Sequence, residues 1–160
     1  TNDKLITRIC DTHVPIVIST GMSNKKEVKK AISKLKDTYN EEELTILHCN
    51  SAYPSPIDEI NLNTIHTLKS MYRKAKIGYS GHEEGIIPTL FAIAKGAEVI
   101  ERHVTLDKTM WGSDQSASIT FDELSTISKA FKDRHKIMGD GKIKVYQSEV
   151  GVRAKLRKGD

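Results

Sequence analysis

The chain has 160 residues, 38% of them apolar, a net charge of +4 and two cysteines, Cys10 and Cys49, which suits one globular domain with its own core and neither a disulfide scaffold nor a thiolate metal site. No run of about 18 apolar residues exists to cross a bilayer, and the polar start Thr1-Asn2-Asp3-Lys4 is no leader, so a cytoplasmic protein without membrane contact is expected. The basic residues gather between Lys25 and Lys36 and in the tail Arg153 to Lys158 without interleaved aromatic residues, which argues against nucleic acid and for an anionic small molecule as partner.

Leu5 to Cys10 reads as the tail end of a helix. Pro15 to Thr20 is a β-branched apolar run closed by Gly21, the pattern of a strand buried on both faces. A helix follows, with Ser23 as its expected cap and Val28, Ala31, Ile32 and Leu35 as one apolar stripe. The unit then repeats, with a strand at Leu44 to Cys49 and a helix at Ile60 to Ala75 whose Leu62, Ile65, Leu68 and Tyr72 mark one face. Lys76 to Ser80 is a third strand, and the helix after it, Ile86 to Lys95, stops at Gly96. Ala97 to Val104 is a fourth strand. A longer loop through Trp111 and Asp114 leads to a last helix, opened by the capping box Thr120-Phe121-Asp122-Glu123 and turning Leu124, Ile127 and Phe131 inward.

Four βα units in succession, joined by right-handed crossovers, specify a parallel sheet. They make up half of the about 250 residues typical of a closed eightfold barrel, and four strands do not close one. The expected fold is a single α/β domain over 1–160, half of a (β/α)8 TIM barrel, with a core over 15–141 and a basic tail over 142–160.

Polar residues collect where these strands end, the edge at which parallel α/β proteins bind ligands. His82 in Gly78-Tyr79-Ser80-Gly81-His82-Glu83 and His103 in Val99-Ile100-Glu101-Arg102-His103-Val104 are candidate ligands for one divalent ion; the alternative is two unrelated polar residues. Glu101 lies two residues before His103, so both side chains point the same way along an extended strand, and a carboxylate there is placed to activate a water or to orient the ion's ligands, the structural alternative being a salt bridge to a neighbouring strand. His48 and Cys49 are adjacent and therefore diverge, which argues against a Cys/His nucleophile and for His48 as a hydrogen-bonded residue of the barrel interior. His13, His66 and His135 read as surface residues, and Trp111 as a lid or as local packing.

Five words in order carry a resemblance: Ile18-Ser19-Thr20-Gly21-Met22, Leu47-His48-Cys49-Asn50-Ser51-Ala52-Tyr53-Pro54-Ser55-Pro56, Gly78-Tyr79-Ser80-Gly81-His82, Ile100-Glu101-Arg102-His103-Val104-Thr105-Leu106-Asp107 and Gly112-Ser113-Asp114-Gln115-Ser116-Ala117-Ser118. Together they resemble the N-acetylneuraminate (sialic acid) synthase family, with its relatives that make legionaminic and pseudaminic acids. The resemblance implies a (β/α)8 barrel that condenses phosphoenolpyruvate with an N-acetylated hexosamine, such as N-acetylmannosamine, into a nine-carbon 2-keto acid and phosphate. This chain then supplies strands five to eight, the C-terminal half of the barrel.

By the same resemblance His82 and His103 bind Mn²⁺, with Mg²⁺ or Co²⁺ as alternatives, and water and sugar oxygens complete the shell. Ser19, Ser51 and Ser80 match contacts to phosphoenolpyruvate, and Tyr53 and Asp114 match residues beside the sugar. Glu101 is then the candidate to activate the water that attacks C2 of phosphoenolpyruvate. Departures are present. Ser51 stands where several relatives have asparagine, and many relatives read Ser-Asp-His-Thr and Pro-Asp-His where this chain reads Ser80-Gly81-His82-Glu83 and Ser113-Asp114-Gln115. The family's first-strand acid or base, its early lysines and its C-terminal antifreeze-like domain have no counterpart here. A lone copy of the chain is therefore expected to be inactive, and the full-length protein to be a homodimer whose partners are phosphoenolpyruvate and an N-acetylated amino sugar. Two other readings are a related phosphoenolpyruvate-dependent keto-sugar-acid synthase and a stand-alone metal- or sugar-phosphate-binding half-barrel that dimerises.

Overall fold

A computed structural model describes residues 2–157. Four strands, β1 (Ile16–Ser19), β2 (Leu44–Cys49), β3 (Lys76–Gly81) and β4 (Ile100–Arg102), lie side by side in chain order and are parallel throughout. Each leads to a helix, in turn α2 (Lys25–Leu35), α3 (Asn63–Met71), α4 (Ile87–Ala94) and α5 (Phe121–Met138), and α1 (Asp3–Cys10) precedes the first strand. The succession of βα units read from the sequence is thus present as a four-stranded half-barrel sheet. No helix among the described residues is long and apolar enough to cross a membrane.

Alternation along the strands divides the sheet into two faces. Ile16, Leu44, Ile46, Ile77 and Tyr79 point to the helices and pack with Ala31, Ile32, Leu35, Ile65 and Leu68. Ile46, Ile65 and Ile77 are completely buried, each contributing roughly 1.5–3 kcal/mol by leaving water. The opposite face carries Cys49, Ser80 and Glu101, which the strand register sets abreast across β2, β3 and β4. Gly78 lies on this face as well, and a Cβ there would stand 2.4 Å from the Val99 carbonyl oxygen and 2.5 Å from Leu47.

Several boundaries differ from expectation for local reasons. Helix α2 is capped by Asn24 instead of Ser23: the Asn24 side chain accepts from the N–H groups of Lys26 and Glu27, and Glu27 returns a bond to the Asn24 N–H. Ser23 donates to the Gly21 carbonyl instead. Helix α3 is shorter than its apolar stripe, because Ile57–Glu59 forms a separate 3-10 turn and Asn61 takes a positive φ of 46° before the helix begins. Strand β4 ends at Arg102, and beyond it Val104 only bridges Ile119. Leu124 is 38% exposed; Ile127 is the buried residue of α5, with Phe131 partly buried. The stretch read as a tail holds a short, exposed helix, α6 (Val150–Leu156).

His48 also requires a correction. It is buried and hydrogen-bonded, its ring Nε2 donating to the Ile60 carbonyl at 2.6 Å. It shares its side of β2 with Ile46, however, and so faces the helices and not the barrel interior. Burial lowers its pKa and keeps the ring neutral at neutral pH.

Candidate functional site

The C-terminal ends of the strands bring three rings together. The centroids of His82 and His103 are 5.3 Å apart, and the Tyr53 ring lies 4.2 Å from His82 and 5.6 Å from His103. His82 follows β3 directly and is 5% exposed; His103 follows β4, with its side chain 39% exposed. The Nδ1 of His82 lies 2.8 Å from the Asn50 carbonyl oxygen. A carbonyl only accepts, so Nδ1 carries a proton, and in the neutral ring Nε2 keeps a free lone pair. This is the arrangement that orients a histidine as a metal ligand. On the other ring, His103 Nδ1 is 3.9 Å from Asp114 Oδ2.

A second polar group lies beside the rings. Ser80, 2% exposed, donates to Glu101 Oε1 at 2.7 Å across adjacent strands. That bond takes the place of the inter-strand salt bridge that a structural role for Glu101 suggests. It also uses the single Ser80 proton, so Ser80 contacts an anion only when its hydroxyl turns away from Glu101. Ser51 Oγ is 3.7 Å from Cys49 Sγ. Gly21 permits this close approach, because a Cβ there would stand 2.1 Å from Ser51 Oγ. Ser19 shares the face but lies on β1, in register with Leu47, and makes no side-chain hydrogen bond among the described residues. Burial, and secondarily the acidic groups of Cys49, Asp114 and Glu101, push the Tyr53 phenol above its ordinary pKa and leave it a donor at neutral pH.

Of the residues singled out by sequence, the structure therefore gathers His82, His103, Tyr53 and Asp114 in one group and Ser80 with Glu101 in another beside it. Ser51 is linked to them through Cys49, and Ser19 stands apart. Cys49 and the Asn50 carbonyl were not anticipated: Cys49 Sγ lies 3.7 Å from His82 Nδ1. Their only sequence signal was the position of both at the end of the second strand. Trp111 is 99% exposed, so nothing among the described residues packs on it.

Among the described residues, no three histidine, cysteine, aspartate or glutamate side chains converge tightly enough to hold an ion by themselves. The donor set still fits a hard divalent ion as a partial site: two imidazoles, one with its tautomer fixed by a backbone carbonyl, and open positions for water and substrate oxygens.

Parallel βα units in this order make an α/β half-barrel sheet, and the polar side chains described above lie at its C-terminal edge, the edge at which such folds bind ligands. The chain belongs to the NeuB family, whose model matches residues 1–143. It is 40% identical over 150 residues to the N,N'-diacetyllegionaminic acid synthase of Campylobacter jejuni, covering 93% of this chain and 45% of that protein. It is 36% identical to the human N-acetylneuraminate-9-phosphate synthase over 144 residues, covering 90% of this chain and 40% of that one. Among solved structures, the N-acetylneuraminic acid (sialic acid) synthetase of Leptospira borgpetersenii serovar Hardjo-bovis, in complex with citrate, superposes with a TM-score of 0.82 at 36% identity, covering 98% of this chain and 55% of that chain. The chain thus spans about half the length of the relatives it matches.

Proposed function

We propose that this chain supplies strands five to eight, the C-terminal half-barrel, of a nonulosonic acid synthase that condenses phosphoenolpyruvate with an N-acetylated hexosamine. The observation that carries the reading is the His82–His103 pair at adjacent strand ends, with Nδ1 of His82 held by the Asn50 carbonyl and its other nitrogen free. Family membership and the named synthases among its relatives support the same chemistry.

In the reaction, C3 of phosphoenolpyruvate bonds to the sugar aldehyde carbon, water adds at C2, and the C–O bond to phosphate breaks, giving the 2-keto acid and inorganic phosphate. His82 and His103 hold the divalent ion, Mn²⁺ in this reading, which supplies polarisation of the aldehyde oxygen when bound. Glu101, oriented by Ser80, takes the proton of the attacking water. The hydroxyls of Ser19 and Ser51 bind the anionic oxygens of phosphoenolpyruvate without bulk, and Ser80 joins them when its hydroxyl turns away from Glu101. Tyr53 packs on the sugar while its phenol and the Asp114 carboxylate bond the sugar hydroxyls. The remaining acid–base and phosphate-binding groups belong to the other half of the barrel in this reading.

The test is Mn²⁺-dependent phosphate release from phosphoenolpyruvate plus N-acetylmannosamine, measured on the chain alone and on a protein with an upstream half-barrel joined to it. Activity only in the joined protein is expected. His82→Ala/His103→Ala should abolish that activity and weaken Mn²⁺ binding by more than about tenfold. Unchanged Mn²⁺ affinity in the double variant would end the ion assignment.

A further inference from the structure

Beneath the sheet edge, on the helix side, the two histidines are joined by a buried ion pair that the reaction above does not use. Glu83 directly follows His82, and Arg102 directly precedes His103. Their side chains are 3% and 2% exposed, and Arg102 Nη1 donates to Glu83 Oε1 at 2.8 Å. Both carboxylate oxygens are engaged. Oε1 also accepts from Thr89 Oγ1 at 2.7 Å, and Oε2 accepts from the Tyr79 hydroxyl at 2.8 Å.

The guanidinium reaches past this carboxylate to the backbone on both sides. Its N–H groups donate to the carbonyls of Glu83 at 2.8 Å and Gly85 at 3.0 Å, in the loop that carries His82. A further N–H reaches the Ala117 carbonyl at 3.1 Å, three residues beyond Asp114. One side chain therefore fixes both loops that present the rings. A buried pair of this kind adds little net stability over an apolar filling, whereas removing one partner leaves an uncompensated charge, so its distinct contribution is orientation.

Gly81 completes the arrangement. A Cβ at that position would stand 2.5 Å from Glu83 Oε2, 2.7 Å from Tyr79 Cε1 and 3.0 Å from Arg102 Cδ. The Glu83 carboxylate folds back into the space that a side chain at 81 would fill. We propose that Glu83 and Arg102 are positioning residues, a clamp that sets the separation and ring orientation of His82 and His103, with Glu83 occupying the place of a side chain at position 81. The proposal rests on the reading of the two histidines as an ion's ligands, and it predicts that a carboxylate delivered from position 81 replaces the one at 83.

The experiment uses the intact protein, with long-range ¹H–¹⁵N spectra of the histidine rings in the absence of metal and Mn²⁺ affinity by calorimetry. Glu83→Gln is expected to shift the ring signals of both His82 and His103 and to weaken Mn²⁺ about tenfold, the size of effect known for partners of ligating histidines. Tyr79→Phe, which removes one bond to Glu83 and leaves the ion pair, should shift the same signals less and covers the case in which Glu83→Gln does not fold. Gly81→Asp/Glu83→Thr should recover ring signals and affinity relative to Glu83→Thr alone. Ring signals and affinity unchanged in Glu83→Gln, or in Tyr79→Phe if the first does not fold, would overturn the clamp. Mn²⁺ binding that survives His82→Ala/His103→Ala would instead remove the ion reading, and the metal-free ring signals would then judge the clamp by themselves.

Discussion

Gly78 shows how little slack the site-bearing face of the sheet has. With the Val99 carbonyl 2.4 Å and Leu47 2.5 Å from where its Cβ would be, Gly78→Ala forces β3 and β4 apart and should destabilise the protein by about 1–3 kcal/mol, read as a lower midpoint in urea at unchanged slope. The register that makes Gly78 tight also puts Ser80 beside Glu101, and part of this was legible beforehand. The two-residue spacing of Glu101 and His103 indicated a shared side of the strand. The same alternation sends Arg102 to the other side, but its partner Glu83 lies in a loop where no period operates, so the pair was invisible. Nor did the sequence show that Cys49 approaches His82, because that contact depends on how β2 and β3 align.

Among the elements, helix starts are decided by single side chains. Thr120 accepts from the Glu123 N–H, and Glu123 returns a bond to the Thr120 N–H; Thr120→Ala should cost about 1 kcal/mol and lower the thermal midpoint, while Thr120→Ser should not. This box was evident in the sequence because Thr and Glu stand three apart before an apolar run. At α2 the same motif was one residue away from the expected cap, since both Ser23 and Asn24 are competent and only the backbone turn selects Asn24. Helix α3 was overextended for a different reason. Its apolar stripe continues into the preceding turn, where Ile60 is buried without being helical. Periodicity reports burial, and a buried turn imitates a helix end.

Across the whole molecule, Glu41 links parts of the fold distant in sequence. Its carboxylate accepts from Lys36 just after α2 at 2.7 Å and from the Lys74 N–H just before β3 at 2.9 Å. The Lys36 hydrogen bond first, then the Lys74 N–H, hold the Glu41 pKa below its ordinary value against the opposing effect of burial. A carboxylate depressed in the folded state binds protons more readily when unfolded, so its stabilisation is complete above the ordinary glutamate range and is lost as pH falls through the lowered value. Urea midpoints measured from pH 7 down to pH 3 should therefore decline on the acid side, and Glu41→Gln should flatten that decline while lowering the midpoint at neutral pH.

The loop between β4 and α5 holds the single tryptophan of the chain, Trp111, 99% exposed. Its indole is in water while the protein is folded, so its emission should lie at the wavelength of the unfolded chain and register little of the core's melting. An optical probe that is silent on folding is free to report something else. A blue shift or quench of Trp111 emission on titration would record whatever comes to cover this loop, against a background that thermal unfolding leaves nearly dark.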